Sequence, residues 1–288
     1  SDGTRYPLIA KKLTEYDNKN YINKEGLSKY KSLLVLSRFD GDIKKNIIEI
    51  NNLENFKVLK KVEIDLEEIF FKVLKDNIKE TIDIKRTRVF HPYVKKDGNI
   101  IFHVGNSRLF EIDLCGNLVN NTFGDLQFHH SIESTSDENF FWVPIYYTSE
   151  NMPINLKQNL SESEIKSGFR FNGIAKLNKN LEVVYLKSIY EILDKNQQVG
   201  EIFFNKSDWD HLNDIEVAKY NGEFFLKDDL FLSLRDANQI VHYRPSKNKV
   251  IRSIVGPFSK QHDVDIISKK EISIFNNNLI PKFRINNL

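Results

Sequence analysis

Four histidines stand where an alternating strand is about to begin: FHPYV at His91, HHSIE at His130, HLNDIE at His211 and QHDVDI at His262. Imidazole suits chemistry near neutral pH, because it can serve as general acid or base, nucleophile or metal ligand. One histidine at a strand start is unremarkable. Recurrence at the same place in successive units raises the question of what brings the units together. Gathering several ionisable groups costs free energy unless something compensates. His103 and His242 fall inside strands and read as structural. His129 and His130 are adjacent, so strand alternation points them opposite ways, and His130 is taken as the inward one. His91 is kept for substrate binding rather than catalysis.

The elements that must carry these residues read as strands from Ser32 onward. SLLVLSRF, KNIIEINN and FKVLKKVEI make a meander with a turn at Asp40–Gly41. Residues 66–83, LEEIFFKVLKDNIKETID, set Ile69, Phe70, Val73, Leu74 and Ile78 on one helical face, which predicts a helix covering the sheet edge. Residues 90–119 break into four short strands at Asp97–Gly98–Asn99, Asn106–Ser107 and Cys115–Gly116–Asn117. The unit opening at HHSIE is interrupted by a polar segment, residues 149–168, then resumes as FNGIAKLNKNLEVVYLKSI and runs into the helix-like SIYEILDKNQQ. HLNDIEVAKY with DLFLSLRDANQIVHYRPSKNKVIRSIVG makes a fourth unit, and QHDVDIISKKEISIFNNN a fifth. Four-stranded units at steps of roughly 40–50 residues mark a β-propeller. The fold class is therefore all-β. Residues 1–30 are expected to be an N-terminal arm and residues 31–288 the propeller domain. First strands of successive blades line one channel, so the histidines would become neighbours at its mouth.

Bulk properties narrow the function. The 288 residues are 40% hydrophobic, enough for a sizeable core. With 42 basic and 40 acidic residues the net charge is +2, which gives no support for a nucleic-acid or membrane-surface partner. Cys115 is the single cysteine, so no intrachain disulfide forms. No run approaches the ~18 apolar residues of a spanning helix. No leader peptide is visible, and one could have been removed ahead of SDGTRYPLIAKK. Ser–His–Asp spacing, a Gly-rich phosphate loop and a paired-Cys metal motif are all absent from the sequence.

HHSIE followed by a strand ending FWVP, HLNDIE followed by DLFLSLRDANQIVHYRPSKNKVI, and GPFSKQHDVDIISKKEISIFNNN resemble, in the same order, the arylsulfotransferase family of bacterial proteins. The resemblance implies a six-bladed propeller, of which about five units are visible here. It implies transfer of a sulfuryl group from a phenolic sulfate ester to another phenol through a sulfohistidine, with no nucleotide donor and no cofactor. Aryl sulfate and phenol are then the partners, and a periplasmic or otherwise extracytoplasmic location is implied. Carried over residue by residue, His262 is the nucleophile, with His211, Arg235 and His130 as its catalytic companions. The segment AKYNGEFFLKD departs from compact family members by lengthening the fourth unit.

The residue types fit that chemistry. A neutral imidazole can attack sulfur, and Arg235 offers a planar fork for two sulfuryl oxygens. His211 can bind the third oxygen or protonate the leaving phenolate. Asn213, the next inward position, is expected to add a neutral donor for substrate. Phe128, Trp142, Tyr146 and Trp209 could stack on an aryl group, though most are read first as core or rim residues. Two other readings stay open. The histidines could hold Zn²⁺ or Cu²⁺ for a lyase or hydrolase, against which Arg235 would repel a dication. The scaffold could also bind an anionic ligand without turning it over.

Overall fold

The structure is a computed structural model, and it describes residues 33–73, 87–147, 171–196, 208 and 210–278. The expected arm at 1–30, the polar segment at 149–168, Trp209 and the helix beyond Val73 lie outside the described residues. Two compact units emerge. One joins the chain up to Gly105 with Leu109–Thr122, and the other joins Asn106–Arg108 with the chain from Phe123 onward.

In the first unit, β1 (Leu33–Asp40), β2 (Lys45–Asn52) and β3 (Val58–Ile64) form an antiparallel meander. Helix α1 (Leu66–Val73) follows, its start marked by the Asp65 carboxylate accepting the Glu68 N–H at 3.0 Å. Its apolar face packs Leu66, Ile69 and Phe70 against Ile48, Val62 and Phe110, which is why the spacing read as helical. β4 (Val89–Val94), β5 (Ile100–Val104), β6 (Leu109–Ile112) and β7 (Leu118–Asn121) form the predicted four-stranded meander. His91 and His103 belong to this unit, their rings stacked with centroids 6.1 Å apart. His103 is buried, as a structural residue should be, with Nδ1 2.7 Å from the Gly105 carbonyl.

The second unit carries the remaining strands. β8 (Gln127–Phe128) and β9 (Glu133–Ser134) both pair with β10 (Phe140–Tyr147), so they are two halves of one strand broken at residues 129–132. β11 (Phe171–Asn178) and β12 (Val183–Ser188) complete that sheet. Helix α2 (Ile189–Lys195) then begins with a capping box: Ser188 Oγ accepts the Glu191 N–H at 3.0 Å, and the Glu191 carboxylate accepts the Ser188 N–H at 3.0 Å. A four-stranded meander follows, made of β13 (Leu212–Val217), β14 (Leu230–Leu234), β15 (Gln239–Arg244) and β16 (Lys249–Val255). The hairpin β17 (His262–Ile266) and β18 (Ile272–Phe275) ends the described chain.

The longer connection AKYNGEFFLKD is mostly exposed but sends Ala218 and Phe225 into the core. Phe225 packs with Phe231, Ile240 and Val264, joining the β13–β16 sheet to β17. Gly222 makes the turn that permits this, since a Cβ there would lie 2.4 Å from the Phe225 ring and 2.8 Å from the Lys269 carbonyl. His242 is fully buried, stacked on Phe231 at 4.6 Å, with Nε2 2.8 Å from Asp229. Arg244 closes on the same carboxylate with two bonds of 2.7 Å. This neutralised network is structural, as the position of His242 inside a strand predicts.

Candidate functional site

The histidines do not simply precede their strands. His91 lies within β4, His130 falls in the break between β8 and β9, His211 stands one residue before β13, and His262 opens β17. His91, His130 and His211 all have positive φ, at 45°, 56° and 41°. Around His262 the neighbours Lys260 and Asp263 take that conformation, each at 54°. The register slips nearby, between Phe90 and Tyr93, between Leu212 and Asp214, and between His262 and Val264. A non-glycine residue with positive φ costs on the order of 1 kcal/mol or more. A bulge re-aims the side chain next to it. Strict alternation therefore fails at each histidine, and the departure points the ring.

Within the second unit the rings of His130, His211 and His262 converge. The His130 and His211 centroids lie 5.5 Å apart in a T-shaped arrangement, and those of His130 and His262 lie 6.4 Å apart. His129 turns away into the core, 1% exposed and stacked on Tyr146 at 3.8 Å. It remains in contact with the cluster, because its Nδ1 is 2.6 Å from Nδ1 of His130. Only one proton fits between two such nitrogens, so each ring sets the tautomer of the other.

Arg235 is delivered by strand pairing. Leu212 is opposite Leu234, and the Arg235 N–H donates to the His211 carbonyl at 3.1 Å, so the two site residues are neighbours across β13 and β14. The guanidinium donates through Nη1 to Asp236 at 2.8 Å, and Lys260 Nζ meets the same carboxylate oxygen at 2.8 Å. Nε of Arg235 is buried without a hydrogen-bond partner among the described residues. A donor held there by protein alone is poised for an outside acceptor.

His211 is gripped from behind. Its Nδ1 is 2.7 Å from Asp208 Oδ2, and its backbone N–H donates to Asp210 Oδ1 at 2.8 Å. Asn172 on β11, itself fully buried, donates to Asp208 Oδ1 at 2.9 Å and also to Asp210 Oδ1. Burial pushes the Asp210 carboxyl up to about 8, and the charge of Asp208 adds to the rise.

His262 is half-buried, and burial lowers its pKa below the ordinary histidine value. The Lys260 carbonyl, 3.3 Å from Nδ1, works against that, while Arg235 and His211 push the same way as burial. The Asn277 amide lies 2.9 Å from the same nitrogen. The Asn277 side-chain NH2 can donate to Nδ1, whereas the Lys260 carbonyl can only accept from it, so the two neighbours favour opposite tautomers of the neutral ring. A neutral imidazole keeps one ring nitrogen unprotonated, which is the state that nucleophilic attack requires.

Asn213 is buried, and its amide donates to the Gln261 carbonyl at 2.8 Å. Gln261 is fully buried and donates to the carbonyls of Leu234 at 3.0 Å and Gln239 at 3.1 Å, fastening the start of β17 to β14 and β15. Phe128, Trp142 and Tyr146 are all buried in the core. Sequence reasoning missed Asp208, Asp210, Asn172, Lys260, Asp236 and Asn277, all polar residues whose importance lies in contacts between separate elements. The aspartate three residues before His211 was the one local signal available. Among the described residues, no group of three or more His, Cys, Asp or Glu side chains is arranged to hold a metal ion. None of their helices is long and apolar enough to cross a membrane.

Comparison with known proteins adds a family. Residues 93–287 match the sequence model of the family described as Arylsulfotransferase (ASST). No match was found among curated proteins. Similar solved structures include a protein of unknown function from Bacteroides caccae, 13% identical with a TM-score of 0.44, covering 78% of this chain and 68% of that one. Kuenenia stuttgartiensis hydrazine synthase is 9% identical with a TM-score of 0.46, covering 85% and 68%. The C-terminal WD40 domain of Sif2 is 10% identical with a TM-score of 0.38, covering 83% and 49%.

Proposed function

The chain belongs to the arylsulfotransferase family, and on that premise we propose that it moves a sulfuryl group from an aryl sulfate ester to a phenol through a sulfohistidine at His262, on a β-propeller scaffold. The convergence of His130, His211 and His262, with Arg235 held across from His211, supports this reading. The unprotonated ring nitrogen of His262 attacks sulfur as the bond to the aryl oxygen breaks. His211 gives its Nε2 proton to the leaving phenolate. In the second half-reaction the acceptor phenol loses its proton to Nε2 of His211 as its oxygen attacks sulfur. The S–N bond breaks, and its electron pair returns to His262. Protons balance over the two halves, and no cofactor is consumed. Arg235 serves the sulfuryl oxygens through its free Nε edge, with charge stabilisation as the main catalytic term. Asn213 would offer its remaining amide hydrogen as a neutral donor. His91, carried by the first unit, is assigned no catalytic step.

The test is a single incubation with an aryl sulfate and no acceptor. It should release about one equivalent of phenol in a burst and add one sulfuryl group to His262. Adding a phenol should remove the adduct. His262→Ala should lose both burst and turnover, and a chelator should change neither. Full turnover by His262→Ala would overturn the covalent route, and chelator-sensitive turnover would favour a metal.

A further inference from the structure

We infer that Asp208 is the positioning residue for His211, holding its ring in the tautomer that makes Nε2 a proton shuttle between the two half-reactions. Its carboxylate lies 2.7 Å from His211 Nδ1. A carboxylate only accepts, so the bond requires the proton on Nδ1. That leaves Nε2 as the nitrogen that takes up and releases the travelling proton. When Nε2 is protonated, the positive ring rests against the Asp208 carboxylate, as in carboxylate–histidine pairs of hydrolases.

The carboxylate is itself held. Asn172 is fully buried on β11, a strand of the neighbouring sheet, and it donates to both Asp208 and Asp210. Asp210 accepts the His211 N–H, and its carbonyl accepts the Asp236 N–H at 3.3 Å. His211 is therefore fixed at backbone and ring by one connected set of bonds, with the ring turned toward His130. The His130 ring meets His211 at a centroid distance of 5.5 Å, and the Asp208 carboxylate at Nδ1 is placed to balance the charge of His211 when its ring is protonated.

The shuttle role rests on the sulfuryl-transfer reading, whereas the tautomer does not, and the experiment separates them. Nitrogen-detected NMR of ring-labelled full-length protein, without ligand, should show neutral His211 protonated at Nδ1. In Asp208→Asn the amide can turn its NH2 toward Nδ1, and the proton should move to Nε2. A wild-type His211 protonated at Nε2, or nitrogen shifts unchanged in Asp208→Asn, overturns the assignment. The kinetic arm uses phenyl sulfate, a poor leaving group, and 4-nitrophenyl sulfate, a good one. Asp208→Asn should slow the phenyl sulfate burst about 10²-fold or more with KM little changed. The nitrophenyl burst should fall by less than about tenfold, and Asp208→Glu should recover part of the phenyl sulfate loss. Equal slowing with both donors overturns the shuttle role. Absence of any burst in the wild type overturns the sulfuryl-transfer reading, while the NMR result still decides the tautomer.

Discussion

Arg235 is anchored on one edge and open on the other. Nη1 is committed to Asp236 at 2.8 Å, while Nε is buried without a partner among the described residues. A planar fork can keep its anchor and still meet a sulfuryl oxygen, whereas an ammonium offers one point charge and no fixed second donor. Arg235→Lys should therefore weaken inorganic sulfate binding about tenfold or more in a calorimetric titration, roughly 1.4 kcal/mol. Unchanged affinity would remove Arg235 from the anion site. The role of this arginine could be proposed from the motif SLR, but its anchor could not. Asp236 is adjacent in sequence, yet Lys260, which shares the same oxygen, comes from the loop before another strand. A shared ion is a property of two chain segments, and neither segment alone specifies it.

At the scale of elements, the position of His262 depends on how β17 is fastened. Gln261 reaches two carbonyls at the far ends of β14 and β15, and Asn213 on β13 holds the Gln261 carbonyl. Val264 is tied as well, its N–H donating to the buried Asp214 carboxylate at 2.8 Å. Gln261→Ala would leave the Leu234 and Gln239 carbonyls without these bonds. It should cost about 2–3 kcal/mol in urea unfolding with an unchanged m value, and lower turnover through a misplaced His262. Stability within about 0.5 kcal/mol of wild type would show that the tie is dispensable. Strand boundaries in this region were legible because period-two alternation and turn residues state them locally. The interruption of β8–β9 at the His129–His130 doublet was not legible. A bulge or break obeys the pairing partner rather than the local pattern.

At the scale of the whole molecule, the second unit buries several carboxyl groups around the site strands. Burial pushes Asp210 from 3.8 up to about 8, pushes Glu216 from 4.5 up to about 7, and raises Asp214 well above its ordinary value. Each group binds its proton more tightly folded than unfolded. Their stabilising contribution is therefore full below the unfolded values and is lost as pH rises through the folded ones. His242 acts from the other side: burial lowers its pKa, so its contribution is present above about 6.5 and is lost on acidification. Thermal melts should show stability falling as pH rises from about 4.5 to about 8, less steeply below about 6.5, where His242 works against the fall. Each group contributes about 1.4 kcal/mol per pH unit over which only the folded state holds the proton. Asp210→Asn keeps the oxygen that accepts from His211 and Asn172 but cannot ionise, so it should flatten part of that fall. An identical pH profile in the variant would show that Asp210 is ionised in the folded protein.

By itself the sequence determined the β meanders, the helix at Leu66 and the family. These follow from local alternation, turn residues and motif order, all properties of short stretches of chain. It also singled out His130, His211, His262 and Arg235, because each stands in a recognisable local frame. Only the tertiary structure decided that His130 rather than His129 turns to His211, since both lie in one dipeptide and a backbone break aims them. It also decided that Asp208 grips His211 and that Asn172 grips Asp208, 36 residues away in sequence. The physical reason is one of range. Backbone periodicity is written between near neighbours, whereas the proton positions and charge balance of a site are set by side chains that meet only after separate strands have paired.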